Sequence, residues 1–182
     1  MTDHKTNVLN EDTNDLSNQK KYADRVRLLI AEKEKRLGRR LSVFVQTFGC
    51  QQNEADSERL IGTALSLGYE KAASPESADL IISNPPYLTA REMQNLMPET
   101  AREPAMALDG GADGLDFYRV LVRQYYDAVR PGGWLVLEIG YAQAEAVLEL
   151  GKAAGWQAGT CRKDAGGNDR VVFFRKPLEN PV

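Results

Sequence analysis

The sequence is poor in the residues that most enzyme chemistry uses. Histidine occurs once, at His4, and cysteine twice, at Cys50 and Cys161. Histidine-based catalysis and histidine metal sites are therefore not expected. Two distant cysteines make no disulfide framework and fit a reducing compartment, so the expected location is the cytoplasm. No apolar run is long enough to span a bilayer, and the polar start has no signal-peptide core. The net charge of −3 gives no electrostatic case for a nucleic-acid partner.

What the chain does have is one sharply punctuated stretch, Asp79-Leu80-Ile81-Ile82-Ser83-Asn84-Pro85-Pro86-Tyr87. Leu80, Ile81 and Ile82 form the unbroken apolar run of a strand covered on both faces. Two prolines then stop the ladder, since neither carries an N–H, and their fixed φ stiffens the turn. An asparagine is thus held at the carboxyl end of a strand, where open α/β sheets bind ligands. The Asn84 side-chain oxygen and the Pro85 carbonyl can both accept from one planar NH₂ group, and Tyr87 can stack on that group. Asn84, Pro85, Pro86 and Tyr87 are the candidate substrate-binding residues, with Asn84, Pro85 and Tyr87 as the catalytic set. A proline-stiffened loop is the plain alternative.

The rest of the chain divides around this stretch. Residues 1–20 read as a disordered leader. A helix is expected from about Lys21 to Arg40, with Val26, Leu29, Ile30 and Leu37 as a partial apolar stripe and Gly38 as its stop. Arg36, Arg39 and Arg40 suit its carboxyl end, as a solvated face or as a basic arm for RNA. Leu41–Phe48 reads as a strand, and Asn53 as the cap of a helix from Glu54 to Leu67. Leu60, Ile61, Ala64, Leu65 and Leu67 are its expected buried face. A linker, Lys71–Ala78, leads to the Asp79–Ser83 strand, which should lie parallel to the first.

Beyond Tyr87, an irregular lid is expected over Thr89–Leu108. A helix follows over Asp113–Val129, burying Tyr118, Leu121, Val122, Tyr125 and Val129. A strand is expected at Trp134–Ile139, a helix at Ala142–Ala154, and two closing strands at Gln157–Lys163 and Arg170–Lys176. Glu138 reads as a strand-end carboxylate that caps or pairs with a neighbour, and Cys161 as a strand residue without chemistry.

Two family resemblances meet in this pattern. Phe44-Val45-Gln46-Thr47-Phe48-Gly49-Cys50-Gln51-Gln52-Asn53-Glu54-Ala55-Asp56-Ser57-Glu58 resembles the start of the MiaB family, the radical-SAM tRNA methylthiotransferases, over about Tyr22–Ile82. In that family the residue matching Cys50 is an iron–sulfur ligand. The second family cysteine is replaced by Ser83-Asn84-Pro85-Pro86, and one thiolate does not hold such a cluster. No metal is therefore expected, and Cys50 reads as a half-buried structural thiol.

From about Asp79 to Lys176 the chain resembles the release-factor glutamine methyltransferases, the HemK/PrmC family. The matching blocks are Asn84-Pro85-Pro86-Tyr87, Arg102-Glu103-Pro104 through Tyr118, Gly132-Gly133-Trp134-Leu135-Val136-Leu137-Glu138-Ile139-Gly140 and Asn168-Asp169-Arg170-Val171-Val172. This resemblance implies S-adenosyl-L-methionine (SAM) as cofactor, with Asn84 beside it, and a peptide chain release factor as partner. The implied organisation is a MiaB-like β-α-β start over 21–78 and the carboxyl-terminal half of a methyltransferase domain over 79–178. The fold implied is a Rossmann-like α/β sheet closed by an antiparallel hairpin.

The family's glycine-rich cofactor loop is not found. Gly110-Gly111, Gly132-Gly133 and Gly166-Gly167 lie in other kinds of turn. Phe48-Gly49-Cys50 alone stands in the right place, after the first strand. Three functional readings follow: a SAM-dependent glutamine N-methyltransferase, incomplete; a fragment of an iron–sulfur tRNA methylthiotransferase; and an inactive chimera.

Overall fold

The computed structural model describes residues 5–49, 51–97 and 103–178, with the side chains of 5–17, 51 and 52 left aside. In chain order the elements are α1 (Lys5–Leu37), β1 (Ser42–Gln46), α2 (Gln51–Leu67), β2 (Glu70–Lys71), β3 (Leu80–Ser83), α3 (Ala90–Met93), α4 (Asp116–Ala128), β4 (Trp134–Glu138), α5 (Ala144–Ala153), β5 (Gln157–Lys163) and β6 (Asp169–Arg175). The strands form one mixed sheet in the order β2-β1-β3-β4-β6-β5. β1 to β4 run parallel, and β6 runs antiparallel to both β4 and β5. The expected α/β sheet with a closing hairpin is what forms.

β3 lies at the centre because its sequence allows nothing else. Ile81 is fully buried, and the strand pairs with β1 through Phe44↔Ile81 and with β4 through Ile81↔Leu135. In register, Ile81, Leu135 and Phe174 share one face with Phe44. α4 covers that face with Tyr118, Leu121, Val122 and Tyr125, which recur at helical spacing. Burial of each such side chain is worth roughly 1.5–3 kcal/mol. Trp156 locks the helix pair by donating from Nε1 to the Val122 carbonyl at 2.7 Å. On the opposite face Val45, Ile82, Val136 and Phe173 stay half-buried. Val43, two residues before Val45 on that same face, is fully buried.

The two halves are joined at one carboxylate. Asp79 is only 4% exposed. It accepts hydrogen bonds of 2.7 Å from both terminal nitrogens of Arg39, just past α1, and one of 3.0 Å from the Ser42 amide in β1. Arg130, between α4 and β4, reaches it at 3.5 Å. Burial by itself would raise the Asp79 pKa. The Arg39 hydrogen bonds, the Ser42 amide and the two guanidinium charges outweigh it and hold the carboxyl below its usual range.

Several expectations are corrected. α1 begins at Lys5, not Lys21, and so covers most of the stretch read as a disordered leader. No glycine or proline interrupts Lys5–Leu37, and nothing stops a helix before Gly38, whose φ of +64° ends it. Of its expected stripe only Ile30 is buried, while Val26, Leu29 and Leu37 are exposed. Arg39 and Arg40, weighed as an RNA arm, are engaged by Asp79 and Glu34. α2 starts at Gln51, which puts Asn53 inside its first turn and not at its cap. Leu60 and Leu65 are exposed, so Ala64 alone of that set is fully buried. The linker before β3 contains the short edge strand β2 and a 3₁₀ turn, Pro75–Ser77. Cys50 lies outside the described residues. Among the described residues, no helix is long and apolar enough to cross a membrane.

Asp79→Asn should destabilise the chain by about 2–3 kcal/mol. A broken buried pair costs more than that, but both arginines are about a third exposed, so solvent screens part of the loss. A carboxyl with a depressed folded pKa contributes fully above its unfolded value, near 4. The contribution disappears as pH falls through the folded pKa. Urea unfolding at a series of pH values should therefore show stability dropping below about pH 4 in the unsubstituted chain, with a shallower drop in Asp79→Asn.

Candidate functional site

The chain leaves β1 for β2 on one side and returns to β3 on the other. The switch point of the sheet is therefore the gap between the carboxyl ends of β1 and β3. The loop Asn84–Tyr87 begins there, next to Gln46 and Thr47, because Gln46 and Ser83 are register partners. Pro85 and Pro86 are buried and fix the loop, Asn84 is exposed, and Tyr87 is half-buried.

Two cavities meet at Asn84. The larger, about 600 Å³, is lined by Pro85, Tyr87, Leu88, Arg91, Glu103 and Ala107 among others. The smaller, about 360 Å³, lies against β1 and α2 and is lined by Thr47, Phe48, Asp56, Ser57, Leu60 and Glu138 among others. Asn53 and Asn84 border both, and Pro86 lines neither. Asn53 donates from Nδ2 to the Phe48 carbonyl at 2.5 Å, which braces the turn after β1.

The loop is held by its neighbours across the sheet end. Leu88 donates to the Leu108 carbonyl at 2.9 Å, and its own carbonyl accepts from Gly110 at 2.8 Å. Gln143 ties three loops with one carboxamide. Its Nε2 donates to the carbonyls of Tyr87 at 2.9 Å and Gly114 at 3.1 Å, and its Oε1 accepts from the Gly140 amide at 2.9 Å. Gly114, at φ +74°, must be glycine, since a Cβ there would strike the Tyr87 carbonyl. Neither Gly114 nor Gln143 stands out as a site residue in the sequence. Nothing in Tyr141-Ala142-Gln143-Ala144 marks that side chain before the three loops are brought together.

The electrostatics of the floor follow from burial. Burial raises the Glu138 pKa, with Arg170 opposing and Asp56 reinforcing. Glu138 makes no hydrogen bond or ion pair with another side chain among the described residues, so the strand-end carboxylate read as a cap is instead part of the crevice wall. Burial likewise raises Tyr87, followed by the charge of Glu138. Tyr125 donates to Gln46 Oε1 at 3.2 Å, and burial pushes its phenol up to about 12. Cys161 sits half-buried on β5.

Gly49 closes the β1 turn with φ +99°. A Cβ on it would collide with Ala107 and lie 2.7 Å from Asn53 Nδ2, so protein atoms and not open space face this glycine. At the end of β2 stand Ala72 and Ala73, with no carboxylate.

The chain is similar to known proteins over part of its length. A release factor glutamine methyltransferase of Cereibacter sphaeroides is 50% identical over 107 residues, covering 58% of this chain and 38% of the relative. That of Caulobacter vibrioides is 44% identical over 135 residues, covering 72% and 47%. Over more than half its length the chain is similar in sequence to release factor glutamine methyltransferases. It spans between about a third and a half of the length of such relatives, from 34% to 47% in the first three. Residues 42–102 also match the model of an uncharacterised protein family, UPF0004. Among solved structures, a release factor-specific protein-(glutamine-N5) methyltransferase from Alicyclobacillus acidocaldarius superposes with a TM-score of 0.42 at 22% identity, covering 82% of this chain and 90% of that one.

Gln143→Ala should cost roughly 1–3 kcal/mol, since it leaves two carbonyls and one amide without their partner at a partly buried loop junction. Urea unfolding measures that loss. Hydrogen exchange should show it concentrated in faster exchange at Leu88, Gly110 and Gly140.

Proposed function

We propose that the chain is the acceptor-binding part of a SAM-dependent N-methyltransferase that acts on a glutamine side chain of a peptide chain release factor. The observation that carries this reading is the position of Asn84, at the switch point, with a cavity on each side. The similarity to release factor glutamine methyltransferases supports the choice of acceptor.

In this reading a glutamine side chain enters from the larger cavity. Asn84 Oδ1 and the Pro85 carbonyl accept hydrogen bonds from its NH₂ group, and both acceptors reject a carboxylate. The Tyr87 ring packs on the amide plane. These contacts aim the nitrogen at the smaller cavity, and fixing that geometry supplies much of the rate.

SAM, when bound, supplies an electrophilic methyl group on a cationic sulfonium. The smaller cavity fits that end of the molecule, with Asp56, Glu138, Ser57, Thr47 and the carboxamides of Asn53 and Asn84 around it. It offers the ribose no comparable hold. Gly49 is packed against Ala107, and the end of β2 carries no acid to hold the hydroxyls. The likeness of Phe44–Glu58 to tRNA methylthiotransferases rests on sequence alone.

Transfer of a labelled methyl group from SAM to a purified bacterial release factor tests the proposal, with the modified glutamine located by mass spectrometry. The expected result is labelling of one glutamine, with kcat/KM at least about 100-fold lower in Asn84→Ala, the size of effect that misplacing a reacting group produces. A folded chain that transfers no methyl group, or transfer unaffected by Asn84→Ala, would overturn the proposal.

A further inference from the structure

A carboxamide nitrogen that gains a methyl group must lose a proton, and the acceptor loop has nowhere to put it. Asn84 Oδ1 and the Pro85 carbonyl accept hydrogen bonds but are not bases. Among the described residues that line the smaller cavity, three ionise: Asp56, Arg59 and Glu138. Asp56 stands 3.5 Å from Arg59, and both are exposed on α2. Glu138 is half-buried at the end of β4, and its carboxylate pairs with no side chain among the described residues.

Strand register sets the place of Glu138. Leu80 pairs with Trp134, Ile82 with Val136, and Ser83 with Leu137. The next step of the same alternation puts Asn84 beside Glu138, on the sheet face opposite α4, with the two strands roughly 5 Å apart. Both residues line the smaller cavity. The Glu138 backbone is fixed on both sides, since its carbonyl accepts from the Tyr118 hydroxyl at 2.9 Å and the residue pairs with Val171 of β6. The carboxylate therefore stands next to the asparagine that holds the amide, in the cavity at which the amide nitrogen is aimed. Glu103 lines the larger cavity instead, on the side from which the glutamine enters.

We propose that Glu138 is a catalytic residue of the acceptor site, the base that takes the proton shed by the glutamine nitrogen. The inference rests on the reading of Asn84–Tyr87 as an amide-binding loop, and it supplies the proton acceptor that the loop lacks. As the nitrogen attacks, a bond forms from nitrogen to the methyl carbon. The bond from that carbon to the sulfur of the sulfonium donor breaks, and its electron pair stays on sulfur. One N–H bond breaks at the same nitrogen, which keeps the electron pair, and the proton goes to the Glu138 carboxylate. The products are a neutral N-methyl amide, a neutral thioether and a carboxylic acid, so the sulfonium and carboxylate charges cancel. Burial raises the Glu138 carboxyl above its ordinary value, which makes the carboxylate a better proton acceptor. The charged and titratable groups that face it are Arg170 on β6, Asp56 on α2, Tyr87 in the loop and Tyr118 on α4.

The first test uses the full chain labelled with ¹³Cδ-glutamate and needs no methyl donor. The Glu138 resonance is identified by its loss in Glu138→Gln. A short glutamine peptide is expected to shift that resonance together with the Asn84 side-chain amide, and a matching glutamate peptide to leave both in place. A glutamine peptide that moves Asn84 and leaves Glu138 unmoved would overturn the proposal while the reading of the loop stands. One that moves neither would overturn both. Methyl transfer to a release factor gives a second readout. Glu138→Gln should lower kcat by at least about 100-fold, the size of effect that a general base supplies, with KM little changed. In the unsubstituted chain kcat should fall on the acid side with a midpoint above the usual glutamate value, and Glu138→Asp should keep that limb at a reduced rate. An unchanged kcat in a folded Glu138→Gln would likewise overturn the proposal.

Discussion

The structure depends on the burial of one carboxylate, Asp79, between two arginines and a strand amide. Arg39 brings the end of α1, Ser42 brings β1, and Arg130 brings the connection into β4. The backbone of Asp79 extends the same junction, donating to the Ser42 carbonyl and accepting from the Trp134 amide. An apolar residue of similar size at this point would avoid the desolvation cost, and such replacements are often neutral or better for stability. What the carboxylate adds is register. It can be satisfied only when β3 lies between β1 and β4 in the alignment that sets Gln46 beside Ser83.

The site follows from that register. With β3 fixed between its neighbours, Asn84 emerges at the switch point, followed by two buried prolines that stiffen its loop. Gln143 then ties the loop to the ends of β4 and to the entry of α4. The amino-terminal β1–α2 unit supplies one wall of the smaller cavity through Thr47, Asp56 and Ser57. Two stretches with different resemblances therefore build one crevice. The same arrangement explains its gap: the turn after β1 is braced by Asn53 and filled by Ala107, so it does not present open backbone as a glycine-rich turn would.

Much of this was legible in the sequence. The apolar run Leu80–Ile82 and the prolines after it gave the central strand and its stop. The spacing of Tyr118, Leu121, Val122 and Tyr125 gave the buried face of α4. The alternation in the closing segment gave the hairpin. Less was legible where the outcome depends on what packs opposite. Leu60 and Leu65 look like core and are exposed, because little structure lies over that side of α2. Asn53 looks like a cap and is a brace, because the helix begins earlier than its best capping residue. Gln143 was invisible as a site residue, since its partners Tyr87 and Gly114 are distant in sequence and only the closed sheet brings them together.

The central claim is that Asn84 and the Pro85 carbonyl form a site for a neutral carboxamide at the sheet's switch point. The most direct measurement is a ¹⁵N-NMR titration of the labelled chain with two short peptides that differ only in glutamine or glutamate. The account predicts that the glutamine peptide perturbs the Asn84 side-chain amide and the Tyr87 and Leu88 backbone amides, and that the glutamate peptide leaves them in place. Equal perturbation by both peptides, or perturbation elsewhere with Asn84 unmoved, would contradict it.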